Sequence, residues 1–459
     1  MVTRSTESAK SAHLQPRFPS HTRSSISKTV SLPLLIALLA GSAAASIGAQ
    51  APQEADPLQP YTGPSVQGTD PNTLTGKVMT GYQGWFNCKG DGAHLGWTHW
   101  AKDHDEPLGP GNVTVDLWPD VSEYDDDELY TTGFRFKDGT RARTFSSYNR
   151  KTVLRHFKWM RDYGIDGAFV QRFAHGLHKE TLRHHKDKVL SSAREGANRY
   201  GRTYTVMYDL TGVQDRRLPE VFDDWRMLRD KMRITRDPAF QRHDGKPLVA
   251  LWGVGFNDKV KRRAGLKQCK KLIQLIKDDG CSIMLGIPTG WRAQDRDALK
   301  DPQLHEVLQM ADVLSPWSIG RFADLPGVQL HAKKYWRKDV VWAREHDIDY
   351  MPVIFPGFSW HNLKGEDLGA IPRLDGRFMW SQVLAAKKED CGMLYIAMFD
   401  EVDEGTAIFK CTNNPPASGG SKFLTLGGLP SDYYLRLAGE AGKLLRGEIP
   451  PSTKLPVAR

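Results

Sequence analysis

The 459 residues carry 63 Lys and Arg against 54 Asp and Glu, a formal charge of +9, with 40% apolar and 25% charged residues. Such a chain suits one large globular α/β domain or two medium ones. Arg4, Lys10, Arg17, Arg23 and Lys28 against Glu7 place +4 of the charge in residues 1–45 and leave about +5 for the rest; with no basic stripe interleaved with aromatics, a nucleic-acid partner is not expected.

Behind that basic stretch, residues 31–45 read SLPLLIALLAGSAAA, an apolar core followed by small residues. The pattern predicts a secretory signal peptide over 1–45, cleaved after Ala45 or Ala49. The run is short for a membrane span, so no stable membrane insertion is expected after cleavage and the protein would be secreted or periplasmic. An uncleaved anchor is the alternative. Residues 46–70, rich in Pro, Gly, Gln and Ala, read as a flexible lead-in. The main domain is expected over 71–450, with a tail at 451–459.

From there strand-like and helix-like segments alternate. Apolar runs at 77–83, 165–171, 203–209, 247–252, 282–287, 312–317, 350–355 and 392–399 predict eight strands. Amphipathic stretches at 150–163, 179–200, 266–279, 376–389 and 431–446 predict helices. Eight such repeats indicate an α/β fold of the (β/α)8 TIM-barrel class, a single domain with a long loop after its first strand. That loop, 84–148, is expected to hold a hairpin, with 112–118 (NVTVDLW) as one strand. A doubly wound sheet is the alternative, but GYQGWFNCKGDG (81–92) lacks the spacing of a phosphate-binding loop.

In such barrels chemistry sits at the C-terminal strand ends. Reading each end in turn collects Tyr82, Gln83, Trp85 and Phe86, with His99 and Trp100 in the loop, then Gln171, Arg172, Tyr208, Asp209, Trp252, Trp317, Trp360 and His361. All but Gln83 and Phe86 are taken as substrate-binding candidates. Aromatic faces stack on the C–H surfaces of sugars while amides and charged groups bond hydroxyls, so the bowl suits an oligo- or polysaccharide. Against each stands an ordinary role: Asp209 capping a helix, Arg172 holding a carboxylate, Trp252 and Trp317 packing the barrel. Cys88, Cys269, Cys281, Cys391 and Cys411 show no zinc spacing. One or two disulfides are open to them in an exported chain, with at least one thiol left over.

The last strand runs into MFDEVDEGTAIFK (398–410), where Asp400, Glu401, Asp403 and Glu404 crowd together. Nearby carboxylates raise one another's pKa and can divide into an ionised base and a protonated acid, the requirement of glycosidic cleavage. A calcium site or a structural acidic loop are the rival readings; the alternating pattern of an EF-hand loop is absent.

Glu401-Val402-Asp403-Glu404-Gly405-Thr406 resembles the E-W-x-E-G-T signature of glycoside hydrolase family 99, the endo-α-mannosidases and related enzymes on a (β/α)8 barrel. GYQGWFNCKGDG…GWTHW (81–100) is similar to the first loop of the wider family 71/99-like group. The chain departs from the signature at Val402 and Asp403, where the endo-mannosidases carry Trp and usually His. The resemblance implies a retaining hydrolase of α-linked glycans needing no metal or cofactor. Glu404 would be general acid/base, and Glu401 would assist the sugar 2-hydroxyl as internal nucleophile. A non-catalytic carbohydrate-binding barrel and a cation-dependent lyase or isomerase are the alternatives.

Overall fold

Segments that are apolar on both faces are satisfied only when both faces are covered, which is the situation of a parallel strand between core and helices. The computed structural model describes residues 56–257, 264–417 and 419–459; the predicted leader and residues 46–55 lie outside them. In chain order the strands are β1 (Val78–Tyr82), β2 (Leu129–Arg135), β3 (Arg141–Phe145), β4 (Gly167–Phe173), β5 (Thr203–Asp209), β6 (Arg242–His243), β7 (Lys246–Trp252), β8 (Ser282–Pro288), β9 (Val313–Trp317), β10 (Asp349–Tyr350), β11 (Val353–Ile354) and β12 (Leu394–Ile396). The helices are α1 (Arg150–Asp162), α2 (Glu180–Tyr200), α3 (Leu218–Asp230), α4 (Leu266–Asp278), α5 (Gln303–Leu308), α6 (Leu325–His331), α7 (Arg337–Glu345), α8 (His361–Lys364), α9 (Arg377–Lys388) and α10 (Tyr433–Leu445).

The parallel strands pair in the order β10-β9-β8-β7-β5-β4-β1-β12-β11. Both ends of that order belong to one stretch of chain: Asp349 and Tyr350 pair with β9, Val353 and Ile354 with β12. Between them the Met351 N–H donates to Leu314 O (2.9 Å) and Pro352 O accepts from the Tyr395 N–H (3.1 Å). The predicted seventh strand is therefore split at Pro352, which has no N–H for a ladder. Taken as one strand, 349–354 closes an eight-stranded parallel barrel, the predicted (β/α)8 class. Among the described residues no helix is long and apolar enough to cross a membrane.

Local chemistry sets the helix ends. Asn149 caps α1 by accepting from the Lys151 N–H at 3.0 Å, and Val153, Phe157 and Met160 bury one face. α2 stops at Gly201, whose φ of 58° closes the C-terminal turn with a bond to Ala197 O. The long loop does hold a hairpin, but it is β2–β3. Residues 112–118, expected as a strand, form none: Asp116 N–H donates to Val402 O and Leu117 makes one isolated bridge to Leu424. Their alternating valines are buried among loops on both sides, so burial rather than sheet pairing explains the pattern.

All five cysteines are buried free thiols. Burial pushes Cys281 and Cys411 up to about 12, a range in which little reactive thiolate exists. Maleimide labelling followed by mass spectrometry is expected to add nothing to the native chain and five labels after denaturation; native labelling would place a thiol at the surface.

Candidate active site

Beyond β12 the chain turns sharply, with Gly405 N–H on Val402 O and the Thr406 and Ala407 N–H groups on Glu401 O. The turn gives each of the four acids a different neighbourhood. Asp400 accepts the Gln83 and Gly84 backbone N–H groups at 2.8 and 2.9 Å and so ties this turn to the loop after β1. Glu401 accepts from Gln83 Nε2 at 2.6 Å and from Thr406 Oγ1 at 2.7 Å. Asp403 meets His99 Nδ1 at 3.0 Å. Glu404 lies beside the Trp360 indole, which favours its charged form. Asp400, Glu401 and Asp403 are 0%, 3% and 2% exposed, whereas Glu404 keeps a partly exposed side chain.

Burial drives the electrostatics. It pushes Asp400 up to about 7 against its two backbone donors. Glu401 rises well above the usual carboxylate range through burial, then the charges of Glu404 and Asp403, with Thr406 and Gln83 opposing. Glu404 is pushed up to about 8 by burial and then Asp403, with the neighbouring Trp360 indole and Lys364 opposing. A carboxyl titrating there still holds its proton at neutral pH, as a general acid must.

Rings line the approach. His99 lies flat on Trp85, centroids 3.7 Å apart and planes 6° apart, and Trp85 stacks on Phe173 at 5.0 Å. The His99 backbone sits at φ 62°, an uncommon conformation for a residue with a β-carbon, and Thr114 Oγ1 holds its carbonyl. Across the mouth Trp252 meets Trp317 edge-on at 5.4 Å, and Trp317 meets Tyr395 at 6.4 Å. Gln171 Nε2 donates to Tyr395 Oη at 3.0 Å, and Asp209 accepts from the Thr211 N–H at 2.7 Å, closing a turn rather than capping a helix.

The structure thus brings together Trp85, His99, Gln171, Asp209, Trp252, Trp317, Trp360, Glu401 and Glu404. It turns five other candidates away, three of them because successive side chains on a strand point to opposite faces. Tyr82 faces α1 and bonds His156 Nδ1 at 2.9 Å. Arg172 and Tyr208 face α2 and α3. The Arg172 guanidinium binds Asp187 and Asp224 at 2.6 Å and Tyr208 Oη donates to Asp224 at 2.7 Å. Trp100 is fully buried and donates to Phe145 O. His361 starts α8, its N–H on Asp116 and its Nδ1 on Glu366 O at 2.7 Å. Gln83, collected at its strand end but not taken as a candidate, joins the site, as do Phe173, Tyr395 and Thr406. The strand period supplies the signal for Phe173, two residues beyond Gln171.

Tyr395 reaches the barrel axis because Gly81 opposes it: a β-carbon at Gly81 would lie 2.2 Å from Tyr395 Oη and from Met398 Sδ. Gly81→Ala is expected to displace both, loosen the bond to Gln171 and cost about 1–3 kcal/mol in a urea titration; an unchanged midpoint would mean that this packing gives way freely.

No family model matches the chain, and no curated protein matches its sequence. Solved structures do match. The GH99 endo-alpha-mannosidase from Bacteroides thetaiotaomicron superposes with a TM-score of 0.59 at 16% identity, over 82% of this chain and 99% of that one. Its complex with bis-tris-propane gives 0.57, also at 16% identity over 82% and 99% of the two chains. A structure described as a glycoside hydrolase-like protein gives 0.51 at 14% identity, over 84% of this chain and 98% of that one. At these identities the likeness establishes a shared fold: this chain has the barrel architecture of the GH99 endo-alpha-mannosidase structures.

Proposed function

We propose that the chain is a retaining glycoside hydrolase of α-linked glycans, exported by its leader. The observation that carries this reading is the division between Glu401, locked by Gln83 and Thr406, and Glu404, partly open to the bowl and titrating near 8. The two carboxyls share one proton: with it on Glu404, and Gln83 and Thr406 donating to the Glu401 carboxylate, Glu401 takes the proton from the sugar 2-hydroxyl in the first half-reaction as that oxygen attacks C1. Glu404 gives its proton to the departing glycosidic oxygen. In the second half, Glu404 deprotonates water as it opens the 1,2-anhydro ring at C1, and Glu401 returns the proton to O2. Trp252, Trp317 and Trp360 offer faces for sugar rings, and Gln171 and Asp209 offer polar atoms for hydroxyls. The glycan named by the solved relative, an α-mannoside, is the first substrate to try.

The test is sugar release from α-mannans, α-glucans and xylan-type polymers, with and without chelator. Chelator-resistant release from one α-linked polymer supports the proposal and names its sugar. Release abolished by chelator would replace it with a cation-dependent barrel enzyme, and binding without release would replace it with a carbohydrate-binding barrel.

A further inference from the structure

The Asp403 end of the site continues outward as an unbroken series of rings. Asp403 bonds His99, His99 stacks on Trp85 and Trp85 on Phe173, and Phe173 meets His175 edge-on at 6.3 Å. One end of this wall is anionic and the other cationic. Beside His175 stand His178, Lys179 and Lys186, whose charges, after partial burial, hold the His175 imidazole below its usual range.

Lys186 is the informative member. From α2 its Nζ reaches to 3.2 Å from where a β-carbon at Gly176 would sit, beside the turn that carries His175. Burial, then the like charge of Arg172, pushes its ammonium down to about 8, with Asp224 and Asp187 opposing. Both of those carboxylates are bound to Arg172. Among the described residues Lys186 Nζ has one hydrogen bond, to Leu182 O at 3.3 Å, and no ion pair. Arg217 beyond His178 is bound to Glu220 at 2.9 Å. A solvated rim explains exposed His178 and Lys179, but not a half-buried ammonium left with one long bond among like charges.

We infer that His175, His178, Lys179 and Lys186 form a subsite for an anionic substituent of the glycan, a uronate carboxylate or a sulfate or phosphate ester, away from the scissile bond. The inference rests on the glycan reading above. An incoming anion supplies the partner that Lys186 lacks, while the acids at the other end of the wall repel it, so the pair of charges orients the chain as well as selecting it.

The experiment is titration calorimetry on the full chain carrying Glu404→Gln, which does not consume its ligand. The probes are glucuronate-bearing xylan oligosaccharides and their carboxyl-reduced counterparts, phosphorylated mannan and its dephosphorylated form, and sulfated mannan and its desulfated form. At least one anionic probe is expected to bind about tenfold more tightly than its neutral counterpart. That margin should shrink between about 50 mM and about 500 mM salt. Adding Lys186→Gln should remove most of the margin, and adding Lys186→Arg should retain it. A margin confined to the uronate pair assigns a carboxylate, and one confined to an ester pair assigns that ester. Equal binding of charged and neutral probes overturns the subsite and leaves the glycan reading standing; a salt-independent margin, or one untouched by Lys186→Gln, overturns the assignment to these residues. Failure to bind any probe overturns both. The salt comparison needs no Lys186 variant, so it decides even if that variant fails to fold.

Discussion

Glu404→Gln is expected to lower kcat for glycan cleavage by about 100- to 10,000-fold with little change in KM, because it removes a proton donor and keeps its shape. In the parent chain kcat/KM should fall as pH rises through about 8, where Glu404 loses its proton. The residual rate of the variant should not follow that limb. Stability moves in a linked way. A carboxyl raised from 4.5 to about 8 by folding makes the folded state bind more protons across that interval. Its stabilising contribution is therefore full below pH 4.5 and is lost as pH rises through about 8. Glutamine carries no such charge, so the variant should melt above the parent at about pH 9 and show a flatter dependence of Tm on pH. A variant with parental kcat would remove Glu404 from the chemistry. Lost activity with an unchanged pH profile of Tm would place the titration on another acid of the cluster.

Asp224→Ala should be the costliest single change to stability. Asp224 accepts Arg172 Nε and Nη2 at 2.6 Å each and Tyr208 Oη at 2.7 Å, and Arg172 is 2% exposed. Removing the carboxylate leaves a buried guanidinium with Asp187 alone, and Arg172 Nη1 already lacks a partner. Breaking such a pair costs about 3–5 kcal/mol, whereas replacing both partners by apolar groups of similar volume is often neutral. The double variant Arg172→Met with Asp224→Leu should therefore be more stable than Asp224→Ala. Urea titrations of the three chains decide. If the single and double variants lose the same amount, the interaction is not the source of the loss. A specific rise in KM, with stability intact, would return Arg172 to the substrate side.

Where sequence reading went astray, strand geometry is the cause. Arg172 and Tyr208 carry chemistry suited to a sugar site and stand at strand ends, yet each lies one residue from an inward position, next to Gln171 and Asp209. A one-residue offset moves a side chain from the bowl to the helix layer. Trp100 and His99 are adjacent, but only His99 takes the left-handed backbone that carries its ring onto Trp85.

The sequence by itself determined the class of fold and where in it the four acids stand. Eight apolar runs separated by amphipathic stretches admit few layered solutions, and four acids after the last run stand where a barrel exposes its catalytic groups. Only the tertiary structure decided what each acid does. Asp400 became an anchor because the backbone after β1 offers it two N–H groups, and Asp403 became the partner of His99, 304 residues away. Glu404 was left partly open with its proton. Those outcomes depend on which groups the closed barrel brings within hydrogen-bonding distance, and such long-range juxtapositions arise from strand register and closure, which no local pattern of residues encodes.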